Sequence, residues 1–421
     1  MHFSKVSWIL GRCRGFGAIR NRYLVMAIGS KALCGEISIE MVHLTQVTDN
    51  RWPSIRSDSK RVTSYFNSLE PERLVQQFLA HPPQEFEAFV SPEGAPAFRT
   101  RFDLLTTLDK GVRRRLMGLP LYRHWCKLLR PRTCFVGTTV SEYALFPRHV
   151  APASLVVALK EHYADEYPFL IIKDVPQSSP LLDAASNAHA RDLLAACKTA
   201  GFVLLEGQAL AYVTIDFSSV DAYISRLSSG RRKDIRRKLR LQQVLQIGSV
   251  PTGSGRFEIP AVLDEYYALY LNVFRQSEIH FDLLSADFFR ELLQDASSGG
   301  VVFEYRHDGQ LIGFNLCFRT GGKLIDKYVG FRYPDARALN LYFISWFHNL
   351  AYALEHGLTH YVAGWTDPEI KAYLGAKFTF TRHAVHVRNG LLRATLQRFA
   401  RWFENDREWH EGHADDPPGR S

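Results

Sequence analysis

The sequence predicts an α/β protein of two lobes, each a mixed β-sheet flanked by helices. Three observations carry that prediction. Between residues 301 and 331, apolar residues alternate and are punctuated by Asp308-Gly309 and Gly321-Gly322, the signature of consecutive antiparallel strands. Twice, in "DLLAACKTAGFVLLEG" and in "WFHNLAYALEHGLTHYVAG", a helical stretch stops at a glycine and gives way to an apolar strand. The chain has 421 residues, of which 46% are hydrophobic, enough for two cores.

Taken in order, the first 41 residues read as an N-terminal extension. Residues 1–35 hold Lys and Arg but no Asp or Glu, and Met26 or Met41 are expected as alternative starts. An Arg-rich targeting segment is the other reading, but a clean apolar core before a cleavage site is missing. Residues 42–250 form the first lobe. Its opening hairpin is "EFEAFVSPEGAPAFRTRFDLLT", turning at Pro92-Glu93-Gly94. Residues 251–395 form the second lobe, entered through the turn-rich "GSVPTGSGRFEIP". There, Leu263, Tyr266, Tyr267, Tyr270 and Leu271 share one helical face. Residues 396–421 read as a polar tail.

The loudest local signal is "SSGRRKDIRRKLRLQQ", in which seven of the ten residues from Arg231 to Arg240 are Lys or Arg. A continuous helix over 220–240 places Val220, Ile224, Leu227, Ile235 and Leu239 on one face. Arg232, Lys233, Arg236, Arg237 and Arg240 then cover the opposite, solvated side. Arg231 and Lys238 fall inside the apolar arc, so each needs a partner: a ligand phosphate or carboxylate, or a protein Asp or Glu. A serine cap at Ser228-Ser229-Gly230 shifts that phase. The formal charge of +9 favours anionic partners. Residues 228–243 contain no aromatic stacking platform, and no zinc-finger or zipper signature occurs, so DNA is not an expected partner.

Several chemistries are excluded by their missing motifs. Neither a Walker loop nor a dinucleotide fingerprint occurs, and the serine-hydrolase elbow and the zinc-protease helix are absent too. The cysteines, Cys13, Cys34, Cys126, Cys134, Cys197 and Cys317, show no metal spacing, so no metal is expected and a reducing, cytoplasmic setting is. No apolar run reaches the roughly 20 residues of a spanning helix.

What remains is the block from 301 to 378. The order of "RRKDIRRKLR", then "VGF" (Val329–Phe331) leading to a long helix, then Lys371-x-x-Leu374-Gly375, resembles the GNAT acyltransferase superfamily. It is most similar to the FemAB-like branch with its BioF-like acetyltransferase domains. The resemblance is good over about 258–390 and diffuse over about 85–240. It implies two tandem GNAT-like lobes and an N-acyltransferase that moves an acyl (acetyl) group to an amine. It also implies acyl-CoA as co-substrate, with no tightly bound cofactor. An aminoacyl-tRNA donor acting on a peptidoglycan precursor is the second implied activity, and a binding protein on a degenerate scaffold is the non-catalytic one. The acceptor is expected to bear an amine, and a phosphorylated acceptor is one form of that expectation.

The resemblance also nominates residues. Lys371 stands where GNAT enzymes often carry a Tyr, and would hold a donor phosphate or the oxyanion; an exposed helix lysine is the bland reading. Backbone N–H groups near Tyr328–Gly330 would polarise the carbonyl. Asp326 and Asp367 are candidate bases, with surface or capping roles as the alternative. Tyr328 and Trp365, expected at strand ends, would line the acyl tunnel or pack the core. Arg231, Arg232, Lys233 and Lys238 would hold a phosphorylated substrate, and His280, beside Asp282, would face the acceptor. One departure is plain: "ARALNLYFI" has no glycine where GNAT enzymes cradle the CoA pyrophosphate on backbone amides.

Overall fold

The computed structural model describes residues 64–399 apart from 108–113, 116, 119–121, 123–125 and 278–280. The N-terminal extension, most of the polar tail and His280 therefore lie outside the described residues. The first half runs β1 (Tyr65–Phe66), α1 (Glu72–Ala80), β2 (Glu87–Val90), β3 (Pro96–Arg101), β4 (Arg132–Val136), β5 (Phe146–Pro147) and α2 (Pro152–Tyr163). It continues through β6 (Phe169–Pro176), α3 (Ala184–Thr199), β7 (Val203–Thr214), α4 (Val220–Ser225) and α5 (Ser229–Leu239). The second half runs β8 (Gln246–Pro251), α6 (Pro260–Gln276), α7 (Ala286–Gln294), β9 (Gly300–His307), β10 (Gln310–Thr320) and β11 (Lys323–Phe331). Then follow α8 (Asp335–Ala338), α9 (Leu341–Glu355), β12 (His360–Gly364), α10 (Pro368–Tyr373), β13 (Lys377–Val387) and α11 (Gly390–Phe399).

The expected hairpins form, and their turns explain them. β9, β10 and β11 are antiparallel neighbours joined at Asp308-Gly309 (φ 49° and 77°) and Gly321-Gly322 (φ 53° and 71°). Two successive positive φ values match the twist of the flanking strands, which is why these dipeptides occur there. β2 and β3 pair across Gly94 in the same antiparallel sense.

Eleven strands make one sheet, in the order β2-β3-β4-β6-β13-β7-β12-β11-β10-β9-β8. The strand late in the chain, β13, lies between β6 and β7 of the first half, antiparallel to both. β12 joins the halves by pairing antiparallel to β7. Helices cover both faces. On one, α9 buries Leu341, Ile344, Phe347 and Leu350 in a cluster with Ile224, Ile235, Phe303 and Tyr361. On the other, Tyr266 and Phe288, from α6 and α7, share a cluster with Phe78, Phe98 and Phe135 of the first half. The two halves thus share a core, and α2 and α3 close a third cluster around Leu155, Leu159, Leu193 and Ile172.

The basic stretch is not one helix. It breaks after Ser225, and α5 restarts with Ser228 at its N-cap. Leu227 nevertheless stays buried with Ile224 and Ile235, so the apolar arc survives the break. The long helix after β11 is also interrupted: α8 ends, Asn340 takes φ 52°, and α9 begins at Leu341.

Candidate active site

β11 and β12 run parallel but pair over only three residues, Lys323–Ile325 against His360–Val362. Beyond Ile325 they diverge. At that point the β10 pairing also shifts: Leu316 faces Tyr328 while Cys317 faces Asp326, leaving Lys327 as an extra, bulged residue. A bulge bends a strand and re-aims its side chains. Here the consequence is that Asp326, Lys327, Tyr328 and Val329 are all partly accessible in the middle of an eleven-stranded sheet. Tyr328 and Asp326 are therefore mid-strand, not at a strand end; Trp365 does follow the end of β12.

Lys371 lies over this opening. Its helix, α10, is short and starts at Pro368 after Asp367, and Lys371 is only 3% exposed. A Cβ added at Gly364 would stand 3.9 Å from Lys371 Nζ and 4.0 Å from the Asp326 carbonyl oxygen, so β12 ends beside both. Burial pushes the Lys371 ammonium down to about 8, against the pull of the Asp326, Asp367 and Glu142 carboxylates. An amine with that affinity for protons exchanges them near neutral pH.

Asp326 is held by neutral donors. It accepts from Asn315 Nδ2 at 2.6 Å, Tyr361 Oη at 2.7 Å and Asn349 Nδ2 at 3.3 Å. Asn349 also donates to Asn315 Oδ1 at 2.6 Å, tying α9 to β10. Burial raises the affinity of Asp326 for a proton, and the Tyr361 and Asn315 donors oppose it.

The remaining nominated residues divide. Asp367 is exposed at the start of α10, at φ 54°. Trp365 packs edge-on against buried Tyr143, ring centroids 6.2 Å apart. Lys238 is buried, 2.7 Å from Asp234, with its Nζ 3.7 Å from the Phe343 ring centre. Arg231 donates to the carbonyls of Ala372 and Tyr373, at 3.3 Å each, capping α10. Arg232 donates to the Leu227 carbonyl at 2.7 Å, and Lys233 is exposed. Lys371 and Asp326 are thus brought together at the splay, while Tyr328 packs against Phe288 and Phe289 of α7 and the basic helix reaches the site through Arg231.

Sequence reasoning missed a second group beside the splay. Lys327 Nζ lies 2.7 Å from Glu142 Oε1 and 3.4 Å from Glu70 Oε1. The available signal was "LIDKYVGF", two adjacent charges inside an otherwise uncharged run.

Residues 229–372, spanning α5 to α10, match the family model described as the acetyltransferase (GNAT) domain. This segment is similar to a GNAT acetyltransferase domain. No curated protein matches the chain. Among solved structures the chain is similar to the C-terminal DUF2156 domain of a putative lysylphosphatidylglycerol synthetase from Agrobacterium fabrum. That match has 15% identity, covers 77% of this chain and 95% of that one, and has a TM-score of 0.46. It is also similar to FemX, at 12% identity, 77% and 98% coverage and TM-score 0.44. A tandem GNAT protein from the clavulanic acid biosynthesis pathway matches at 15% identity, 75% and 88% coverage and TM-score 0.37. Within the matched segment, β11 and β12 are the splayed parallel pair and α9 follows the loop after β11. Among the described residues no helix is long and apolar enough to cross a membrane.

Proposed function

We propose that the chain is an N-acyltransferase whose reaction takes place at the splay of β11 and β12. The single observation that carries the reading is the divergence of these strands at Asp326, with buried Lys371 beside the opening. In this reading the acyl carbonyl of the donor lies along β11, polarised by backbone N–H groups near Tyr328–Gly330. The acceptor amine attacks the carbonyl carbon, so a C–N bond forms. With a thioester donor the C–S bond breaks, Lys371 as ammonium gives its proton to the departing thiolate, and the amine's excess proton passes to water. No covalent enzyme intermediate is needed. Asp326 lies near Lys371, and its three neutral donors hold it in place, with those from Tyr361 and Asn315 favouring its charged form against burial.

Acyl-CoA is the donor first implied by the domain. A specific observation favours the second donor, an aminoacyl-tRNA. The loop after β11 spends its amides on itself: Ala336 N bonds Arg332 O at 2.8 Å, Arg337 and Ala338 N bond Pro334 O at 3.0 and 3.1 Å, and Leu339 N bonds Asp335 O at 3.0 Å. Those donors are not free to cradle a pyrophosphate. A tRNA donor would instead be held mostly through its phosphates, in a salt-dependent way.

The deciding experiment measures melting temperature with CoA, acetyl-CoA and a UDP-linked muropeptide, alongside tRNA binding at two salt concentrations. A rise with acetyl-CoA supports the acetyl donor. No rise with any CoA species, together with salt-dependent tRNA binding, removes it. No response to any of these leaves the degenerate-scaffold reading standing and sinks the catalytic one.

A further inference from the structure

We propose that Glu70, Glu142 and Tyr328 form a seat for a primary ammonium group, the cationic end of the acceptor. Lys327, the bulged residue of β11, crosses to the first half and meets both carboxylates through their Oε1 atoms. The Glu142 backbone N–H donates to Glu70 Oε1 at 2.6 Å, locking the two acids side by side. The three side chains are 6%, 4% and 3% exposed for Lys327, Glu70 and Glu142. Yet Glu70 Oε2, Glu142 Oε2 and the Tyr328 hydroxyl are buried without any partner among the described residues. The orphaned phenol is an observation independent of the acids, and its burial raises its affinity for the proton, with Lys327, Asp282, Glu142 and Glu70 as its charged neighbours.

The charge does not balance either. Lys327 faces two carboxylates, Asp282 is a third acid in range of it, and Lys371, the other ammonium in range of Glu142, is shared with Asp326 and Asp367. Lys173, in range of Asp282, is shared with Asp174, to which it is paired directly. Excess negative charge away from water is costly. Burial accordingly pushes Glu70 up to about 7, against Lys327, and Asp282 up to about 6, against Lys173. A primary ammonium supplies what is missing: one positive charge and three N–H donors, for two carboxylate oxygens and a phenol oxygen. A quaternary ammonium supplies the charge without the donors. When the cation arrives, Glu70 ionises and releases its proton.

Naming this cation as the acceptor rests on the acyltransferase reading; the seat itself does not. The test uses the full chain, with n-butylammonium and 1,5-diaminopentane as probes and tetramethylammonium as control, at pH 7 and constant ionic strength. Both primary amines are expected to raise the melting temperature, and the control is not. Glu142→Gln abolishes the response. Tyr328→Phe does not lower the melting temperature of the free protein, because the hydroxyl has no partner among the described residues to lose, and weakens amine binding about fivefold. Should Glu142→Gln fail to fold, Tyr328→Phe decides alone. Titration calorimetry in two buffers of different ionisation enthalpy reads proton release on binding, which Glu70→Gln removes. Equal responses to the primary amines and the control, no response to either amine, or an unchanged affinity in Tyr328→Phe each overturn the seat. Amine binding without acyl transfer from any donor overturns the enzymatic reading and leaves the seat standing.

Discussion

The guanidinium of Arg231 donates to the carbonyls of Ala372 and Tyr373, so the basic helix α5 holds the end of the helix that carries Lys371. Those carbonyls belong to the last turn of α10, which carries partial negative charge, and Ala372 O also accepts from Gly375 N–H at 3.0 Å. Arg231→Ala is therefore expected to cost about 1–2 kcal/mol of stability. The Michaelis constant of a phosphorylated substrate should stay as it was. Denaturant titration and steady-state kinetics check both; a raised Michaelis constant at unchanged stability would return Arg231 to substrate binding.

Lys371 gives a pH signature of defined sign. Unfolded, it has its ordinary pKa of 10.5; folded, burial holds it at about 8. Between those values the unfolded chain binds a proton that the folded chain does not, so this group makes stability rise with pH across that window. Below 8 both states carry the charge, and the full cost of burying it stands, on the order of 3 kcal/mol. Lys371→Met should thus be more stable than the parent at pH 7, converge with it near pH 10.5, and lose at least about tenfold in turnover. Denaturation at the two pH values tests the first part. A destabilised variant at pH 7 would mean that Lys371 is held by attractive contacts instead.

Asp326 sets where that signature falls. It is the foremost carboxylate raising the Lys371 pKa. Asp326→Asn keeps the shape and removes the charge, so Lys371 should deprotonate at a still lower pH. The turnover profile of the parent is expected to fall as pH rises through about 8. In Asp326→Asn that limb should move down by about one unit. An unmoved limb would detach Asp326 from Lys371.

Local chemistry made much of this legible in advance. Asp308-Gly309 and Gly321-Gly322 declared two turns, and Gly201 and Gly357, at φ 84° and 62°, stopped two helices where expected. Lys371 was legible through its spacing to Gly375, although its burial was not. The break of the basic stretch was signalled by Ser228-Ser229-Gly230, but not that Leu227 would keep the apolar period across it while the backbone changes course. The pairing of Lys327 with Glu142 and Glu70 joins residues 185 and 257 positions apart, and no periodicity encodes a contact of that range. The same holds for β13, which pairs with β6 and β7 of the first half. Long-range pairing depends on which edges are left open after local elements form, and a local reading has no access to that.

Gly375 supplies the sharpest test of how Lys371 is positioned. Its φ of 96° suits glycine alone, and an added Cβ would stand 2.6 Å from Tyr223 Oη and 2.9 Å from Leu227 Cδ2. Tyr223 cannot simply withdraw, because its hydroxyl donates to the Leu374 carbonyl at 2.8 Å and its ring is buried. Gly357 is the control: its φ is 62°, but a Cβ there meets nothing within 4 Å. Gly357→Ala should therefore cost only backbone strain, about 1 kcal/mol, while Gly375→Ala should cost roughly 2–4 kcal/mol by adding overpacking to the strain. Because α10 ends one residue before Leu374, the second variant also shifts Lys371 and should depress turnover, with the first leaving turnover intact. Equal costs for the two alanines would mean that α4 yields freely, and that the packing of Tyr223 and Leu227 against Gly375 does not fix the lysine.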